Sequence, residues 1–540
     1  MSFRTSDPNA DTQLSLFGGY ADLTEREKKH LEKSWAESFR NEVYPAINEE
    51  CFAVLYSDNT ASRPNTSVKF ILGAIIIGML HGLSEVELME SILFDIRFQY
   101  ALHTLHCTEQ PVNEHSFRRF RQRVLRYKTE TGIDLIDEEF KHLTSVMGKF
   151  MKLHPDIKRM DSMMVASHCK SMGRLEIIYQ VNANAVQLLH KKERDDLIPD
   201  ALKHYLEKDD LNDVIYYRKS DELPSRLTAM VSELMTLLNV MKAEEWAEFT
   251  EYQLLVRVKE EQCKQDENGK TIPKENSEIS SQSLQNPSDP DATFRRKAGE
   301  AHTGYAVNIG ETTGEEGDSL ITELSVEKNT HSDVDFCREY LESRPDEAEH
   351  ETVILDGAFG SEENFQLAAK KNVELVATAL TGVLPNPIYA KFEMNEEGTS
   401  VIKCPAGHAP FRQHYNEKSE TCRAVMSADC CANCPHHDQC HPKKQKNSFV
   451  VNVSRKKVQR AKYMQKLSTE EYIQIARIRN AIEGIPSVLR RKFRIDEIPV
   501  FGLLNITFFI QVKVIAYNFG KFFRSRRRAQ SFCTIAQTTE

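Results

Sequence analysis

The chain has 540 residues, beyond the ~250–300 at which one hydrophobic core usually stops growing, so two or more folding units are expected. Its 40% hydrophobic and 28% charged content is that of a soluble globular chain, and the apolar run Phe70–Leu80 falls short of the ~20 residues a membrane span needs. A net charge of −10 argues against a nucleic-acid partner only as a single number. Acidic residues crowd Glu207–Glu222 and Glu244–Glu278, while basic ones gather in Arg118–Lys128, Lys443–Lys466, Arg490–Arg494 and Lys521–Arg528.

The opening segment Met1–Pro8 has no apolar signal core, and a cytoplasmic, nucleoid-associated protein with no membrane partner is expected. Residues 1–150 read as a helical DNA-binding or dimerisation region. Thr24–Asn41 and Val68–Leu83 are helical, and Ser84-x-x-Glu87 is a capping box opening another helix. In the helix beginning at Ser116, Phe117 and Phe120 are core anchors, while Arg118, Arg119 and Arg121 are candidates for DNA-backbone contact. Residues 151–185 begin a catalytic core, and 186–290 form a helical insertion and linker. The core resumes over 291–380, is interrupted by a Cys-rich insertion over 381–462, closes with helices over 463–525 and leaves a tail, 526–540. Ile498–Gly520 contains Asn505, Gln511 and Lys513, so it reads as a buried helix.

Five strands alternate with helices: Ile157–Val165, Tyr305–Gly310, Leu320–Val326, Val353–Asp356 and Val373–Ala379. A hairpin followed by α/β units is the order of a ribonuclease-H-like mixed sheet, so the fold class expected is α/β. Asp161 lies in the first of these strands and Asp356 closes the fourth. Each alone could simply cap a turn. Glu483 lies in a helical stretch with Arg479 and Arg490 in one narrow stripe. Ser468-x-x-Glu471 is read as that helix's capping box, and Gly484 and Pro486 are expected to kink it just beyond the glutamate.

Three such carboxylates suit phosphoryl transfer on DNA with two Mg²⁺ (or Mn²⁺) ions, because these hard cations take oxygen ligands and leave positions for water and phosphate. Asp161 is the candidate bridging ligand, with Asp356 and Glu483 each holding one ion. Asp156, Asp333 and Glu362 are the alternatives.

The run Arg479–Glu483, with Arg490 following, resembles the Tyr-x2-Arg-x3-Glu-x6-Lys signature of one group of bacterial insertion-sequence DDE transposases. Arg490 stands at the lysine position and Ala476 at the tyrosine position, so the tyrosine's DNA contact is not carried over. Asp161-Ser162, Gly304-Tyr305 within 291–307, and Leu355-Asp356-Gly357 followed by Asn364 are similar to that group in the same order. Segments 64–102 and 111–124 resemble its helical N-terminal transposase domain. The resemblance implies a ribonuclease-H-like core, binding to double-stranded inverted-repeat ends and target DNA, and strand cleavage with strand transfer. It also implies DNA contact by Arg490, and by Arg479 beside it. A homodimer on DNA is expected because two ends must be held together. A nuclease on the same core without joining, or a non-catalytic DNA-binding derivative, are the other readings.

Six of the 12 cysteines fall between 404 and 440. Cys431-x2-Cys434 with Cys404 and Cys440 would complete a structural Zn²⁺ site. His408, His436, His437 and His441 are possible substitutes, and Cys430 allows a shifted register. Reduced cysteines without metal are the plain alternative.

Overall fold

The computed structural model describes residues 1–5, 20–59, 61–105, 110, 111, 113, 115–153, 156–216, 220–297, 299–314, 317–380 and 382–538. The connection 311–319 between the second and third expected strands and the tail at 526–540 lie partly outside them. The chain forms two units: residues 1–154, 162–332 and 486–540 make the first, and 155–161 with 333–485 the second. Strand β1, Ile157–Ala166, contributes to both, passing from the second to the first after Asp161.

In the first unit, the helix Val68–His81 is buried almost throughout, with its side-chain N-cap at Ser67 and a left-handed Gly82 ending it. Ser84 and Glu87 form the reciprocal capping box that opens Glu85–Phe94. The expected helix Thr24–Asn41 is instead broken: Glu25–Glu32 and Trp35–Ser38 are separated at Lys33, and a π-turn follows. Ser34 explains the break, since its side chain accepts from Ala36 N–H and caps a new helix there.

Strands β2 (Thr293–Lys297), β3 (Glu300–Thr313) and β4 (Ser319–Lys328) are antiparallel, with β2 and β4 both pairing β3, and β3 lying beside β1. The strand β2 was not among the five expected. Its Arg295-Arg296-Lys297 run hid the strand, because charge at consecutive positions masks the apolar alternation that marks one. Gly304 makes the approach of β3 to β1 feasible: it holds φ +151, and a Cβ there would lie 2.2 Å from the carbonyl oxygen of Val165.

The helix Leu503–Thr538 runs through this unit. Its part Leu503–Ala529 is long and apolar enough to cross a membrane by length and composition, but 78% of its apolar window is buried in the fold. Its polar residues have partners inside. Asn518 accepts from Ile321 N–H at 2.9 Å and donates to Ile321 C=O at 2.7 Å, pinning the helix to β4. Helices Arg174–Lys191, Leu223–Val240 and Thr250–Gln262 pack a separate apolar cluster around Val186, Leu234, Leu255 and Trp246.

Glu139, on the helix Leu135–Phe150, is almost fully buried and accepts one bond, from Asn48 N–H at 3.1 Å. Burial pushes its carboxyl up to about 8. A raised acid contributes stability below its unfolded value of ~4.3 and loses it as pH rises through the folded value. Glu139→Gln keeps the acceptor and removes the ionisation cost. The variant is expected to gain roughly 2–3 kcal/mol over the parent at pH 7 and nothing at pH 4, read by paired denaturation at both pH values.

The second unit is built on β1, β5 (Glu351–Leu355) and β6 (Val373–Ala377), all parallel, with helices Asp333–Ser343 and Glu362–Lys370 packed on them around Phe336, Leu341 and Phe359. A smaller antiparallel sheet follows, ordered β7 (Arg412–Asn416), β8 (Thr421–Ser427), β10 (Ser448–Val453) and β9 (Lys443–Lys444). Ser468 does not open the next helix. It closes Arg455–Leu467, and Thr469 precedes Glu470–Asn480 without a side-chain cap.

Candidate active site

The β1–β5 register pairs Ile157 with Thr352, Lys158 with Val353 and Arg159 with Ile354. The pairing ends at Arg159 and Ile354, two residues before Asp161 and Asp356, and Asp356 lies just past the end of β5.

Buried charge holds this register. Lys158 Nζ donates to Tyr340 Oη at 2.9 Å and lies 3.4 Å from Glu351 Oε1, and Arg344 pairs with the same Glu351 carboxylate. Lys158 and Glu351 are both nearly inaccessible, so slippage of β1 would leave unpaired buried charges, the costly case. Arg159, also buried, donates to Ile478 C=O at 2.6 Å and ties β1 to the helix Glu470–Asn480.

That helix carries Arg479. Its guanidinium donates to Glu483 Oε1 at 3.1 Å and lies 3.7 Å from Asp161 Oδ1, with only 12% of the side chain exposed. A positive charge therefore already bridges two of the three acids. The helix does not continue through Glu483: a 3₁₀ turn, Ala481–Glu483, intervenes before Gly484–Arg491. The break expected beyond the glutamate thus falls on it, and the single stripe of Arg479, Glu483 and Arg490 is divided. Arg490 belongs to the first unit, where it pairs with Asp496 at 3.0 Å and donates to Met164 C=O at 2.8 Å. Asp356 caps the turn Gly357–Phe359, accepting from Gly357 N–H at 2.6 Å.

Among the described residues, no three His, Cys, Asp or Glu side chains form a group poised to hold a metal ion. The donor chemistry of Asp161, Asp356 and Glu483 nevertheless fits a hard divalent cation, and the guanidinium between Asp161 and Glu483 marks where positive charge is favoured. Of the alternatives, Asp156 stands at the entry to β1, its carbonyl accepting from Thr352 N–H, and Asp333 and Glu362 open helices.

In the first unit, Arg118 and Arg119 are exposed on the helix Ser116–Thr131, while Phe117 and Phe120 are buried. Arg121 is mostly covered, paired with Glu85 at 2.8 Å and lying over the Phe509 ring. A site residue the sequence reading missed is Asp289, fully buried, which accepts from Ser167 Oγ at 2.6 Å, Tyr305 Oη at 2.5 Å and Gly502 N–H at 3.0 Å. It fastens Tyr305, beside Gly304, to the segment leaving β1. Its Ser-Asp-Pro setting reads as an ordinary turn.

In the second unit, Cys404, Cys431, Cys434 and Cys440 line one cavity of about 20 Å³, with Cys430 and His408, His436 and His437 also at its wall.

Residues 28–123 match the model of the transposase domain DUF772, and residues 403–523 match that of the transposase DDE domain. Both matched models describe transposase domains. The N-terminal match takes in Arg118, Arg119 and Arg121, and the DDE match takes in the cysteine cavity, Arg479, Glu483 and Arg490. Asp161 and Asp356 stand between the two matched segments. No curated protein and no solved structure matches the chain.

Proposed function

We propose that this transposase binds the terminal inverted repeats of its insertion sequence and cleaves and joins DNA strands at Asp161, Asp356 and Glu483. The observation that carries the reading is Arg479, whose guanidinium bonds Glu483 and lies 3.7 Å from Asp161, while Asp161 and Asp356 each follow by two residues the paired stretch of two adjacent parallel strands. The antiparallel pair β3/β4 followed by the parallel set β1, β5 and β6 supports a ribonuclease-H-like core.

Two Mg²⁺ or Mn²⁺ ions, when held by the three carboxylates, supply activation of the attacking oxygen and stabilisation of the leaving oxygen. Asp161, Asp356 and Glu483 would hold these ions, Asp161 being the candidate shared by both. Arg479 keeps the acids compensated before loading and orients Glu483 through their 3.1 Å bond. Arg490 contacts DNA phosphate, its planar guanidinium offering the paired donors lysine lacks. Arg118 and Arg119 contact the backbone from the N-terminal region. The active species is a homodimer on DNA, working at the nucleoid in the cytoplasm, since coupled cutting needs both ends together.

The test incubates purified protein with pre-cut inverted-repeat duplexes and supercoiled plasmid. Joined products are expected with Mg²⁺ or Mn²⁺, none with EDTA, and recovery on adding excess Mg²⁺. Cleavage without joining would reduce the reading to a metal nuclease, and products that persist in EDTA would remove the metal site.

A further inference from the structure

The small lobe carrying β7 to β10 has little to hold it together. Its buried apolar cluster comprises Phe392, Val401, Cys422, Ala424, Val451, Val453 and Val458. A core of this size ordinarily needs a staple, whether disulfide or metal. The described cysteines of the lobe are all free thiols.

Three separate pieces of chain deliver thiols to the cavity beside this core. The first is a tight turn: Gly407, at φ +82, donates its N–H to Cys404 C=O at 2.8 Å, and Cys404 N–H donates to His408 C=O at 2.9 Å. The second is the Cys431-x2-Cys434 turn, with Cys434 N–H on Cys431 C=O at 3.4 Å and His437 N–H on Cys434 C=O at 3.0 Å. The third is the short helix His437–Cys440, whose last residue donates its N–H to His436 C=O at 2.8 Å. Met426 and Val451 supply an apolar wall. About 20 Å³ is room for one ion or one water, not for an organic ligand.

We propose that Cys404, Cys431, Cys434 and Cys440 together bind one zinc ion, which clasps the 404–408 turn to the 428–440 helices. Soft thiolates in a four-donor set select zinc over the hard cations of the carboxylate site. The register follows from position: Cys404 and Cys440 pack against the apolar cluster, and Cys431 and Cys434 are joined by one turn. His437 is already committed, its Nδ1 2.7 Å from Cys431 C=O and its ring edge-on to Phe449 at 5.5 Å.

The role is structural and separate from strand transfer, so its test does not depend on DNA activity. Full-length protein purified with reductant and without chelator is assayed for zinc and for free thiols. One zinc per chain is expected, with zinc content lowered about tenfold or more in Cys434→Ser and in Cys404→Ser and retained in Cys430→Ser. Should the serine variants fail to fold, the parent protein reloaded with Co²⁺ still decides. A tetrahedral all-thiolate spectrum, with strong sulfur-to-metal charge transfer, supports the proposal. A six-coordinate oxygen-ligand spectrum overturns it, as do zinc near zero in the reduced parent or loss of metal in Cys430→Ser with retention in Cys431→Ser.

Discussion

Asp356→Asn is expected to lower DNA cleavage by about 10³-fold or more, equivalent to some 4 kcal/mol of transition-state stabilisation, while the chain stays folded. The carboxamide is nearly isosteric, and its oxygen still accepts from Gly357 N–H, so the cap on the Gly357–Phe359 turn survives. What is lost is the negative charge just past the end of β5. An amide oxygen cannot neutralise a divalent cation beside a phosphate already carrying negative charge. Asp156→Asn is the matched control. Asp156 lies five residues before Asp161, and the contact seen for it is made by its backbone carbonyl, which the substitution keeps. The measurement is cleavage of an end-labelled inverted-repeat duplex at saturating Mg²⁺, with circular dichroism to verify folding. Activity in Asp356→Asn above one tenth of the parent, or equal losses in both variants, would sink the assignment.

Gly304→Ala is expected to destabilise the first unit by roughly 3–5 kcal/mol, enough to collapse soluble yield. Two costs add. A side chain is strained at φ +151, and the new Cβ would stand 2.2 Å from Val165 C=O and 2.7 Å from Ser167 N. Both are backbone atoms, so no rotamer change relieves the overlap. Moving the strands apart breaks the bond from Ser167 N–H to Thr303 C=O, now 3.0 Å. It also disturbs Ser167 and Tyr305, which share the buried Asp289. Gly173→Ala is the comparison: nothing lies within 4 Å of its Cβ position, and the expected change is under about 1 kcal/mol. Denaturation midpoints of the two variants, or soluble yield if the first cannot be purified, separate the outcomes. Equal stability would show that β3 has slack against β1.

Much of the local structure was legible in the residues. The capping box at Ser84 and the strands containing Tyr305, Leu320, Val353 and Val373 depend on neighbours within a turn or two. Where reading failed, a competing local bond or a charge run was responsible. Ser34 took a cap that split the first helix, Ser468 closed a helix instead of opening one, and Arg295–Lys297 concealed β2. Lys158 and Arg159 fall within the first expected strand, but nothing local marks them as buried; both are, and they set the register and the helix anchor of the site.

The sequence by itself determined several of the helices and strands and which residues carry carboxylate, guanidinium or thiol chemistry. Only the tertiary structure decided that β1 pairs with β5, that Arg479 is spent on Asp161 and Glu483, and that Cys404 shares a cavity with Cys431, Cys434 and Cys440. The physical reason is range. Capping and periodicity are set by bonds between residues a few positions apart. Strand register and cavity lining are set by buried charge and packing between segments far apart in the chain, whose meeting no local pattern encodes.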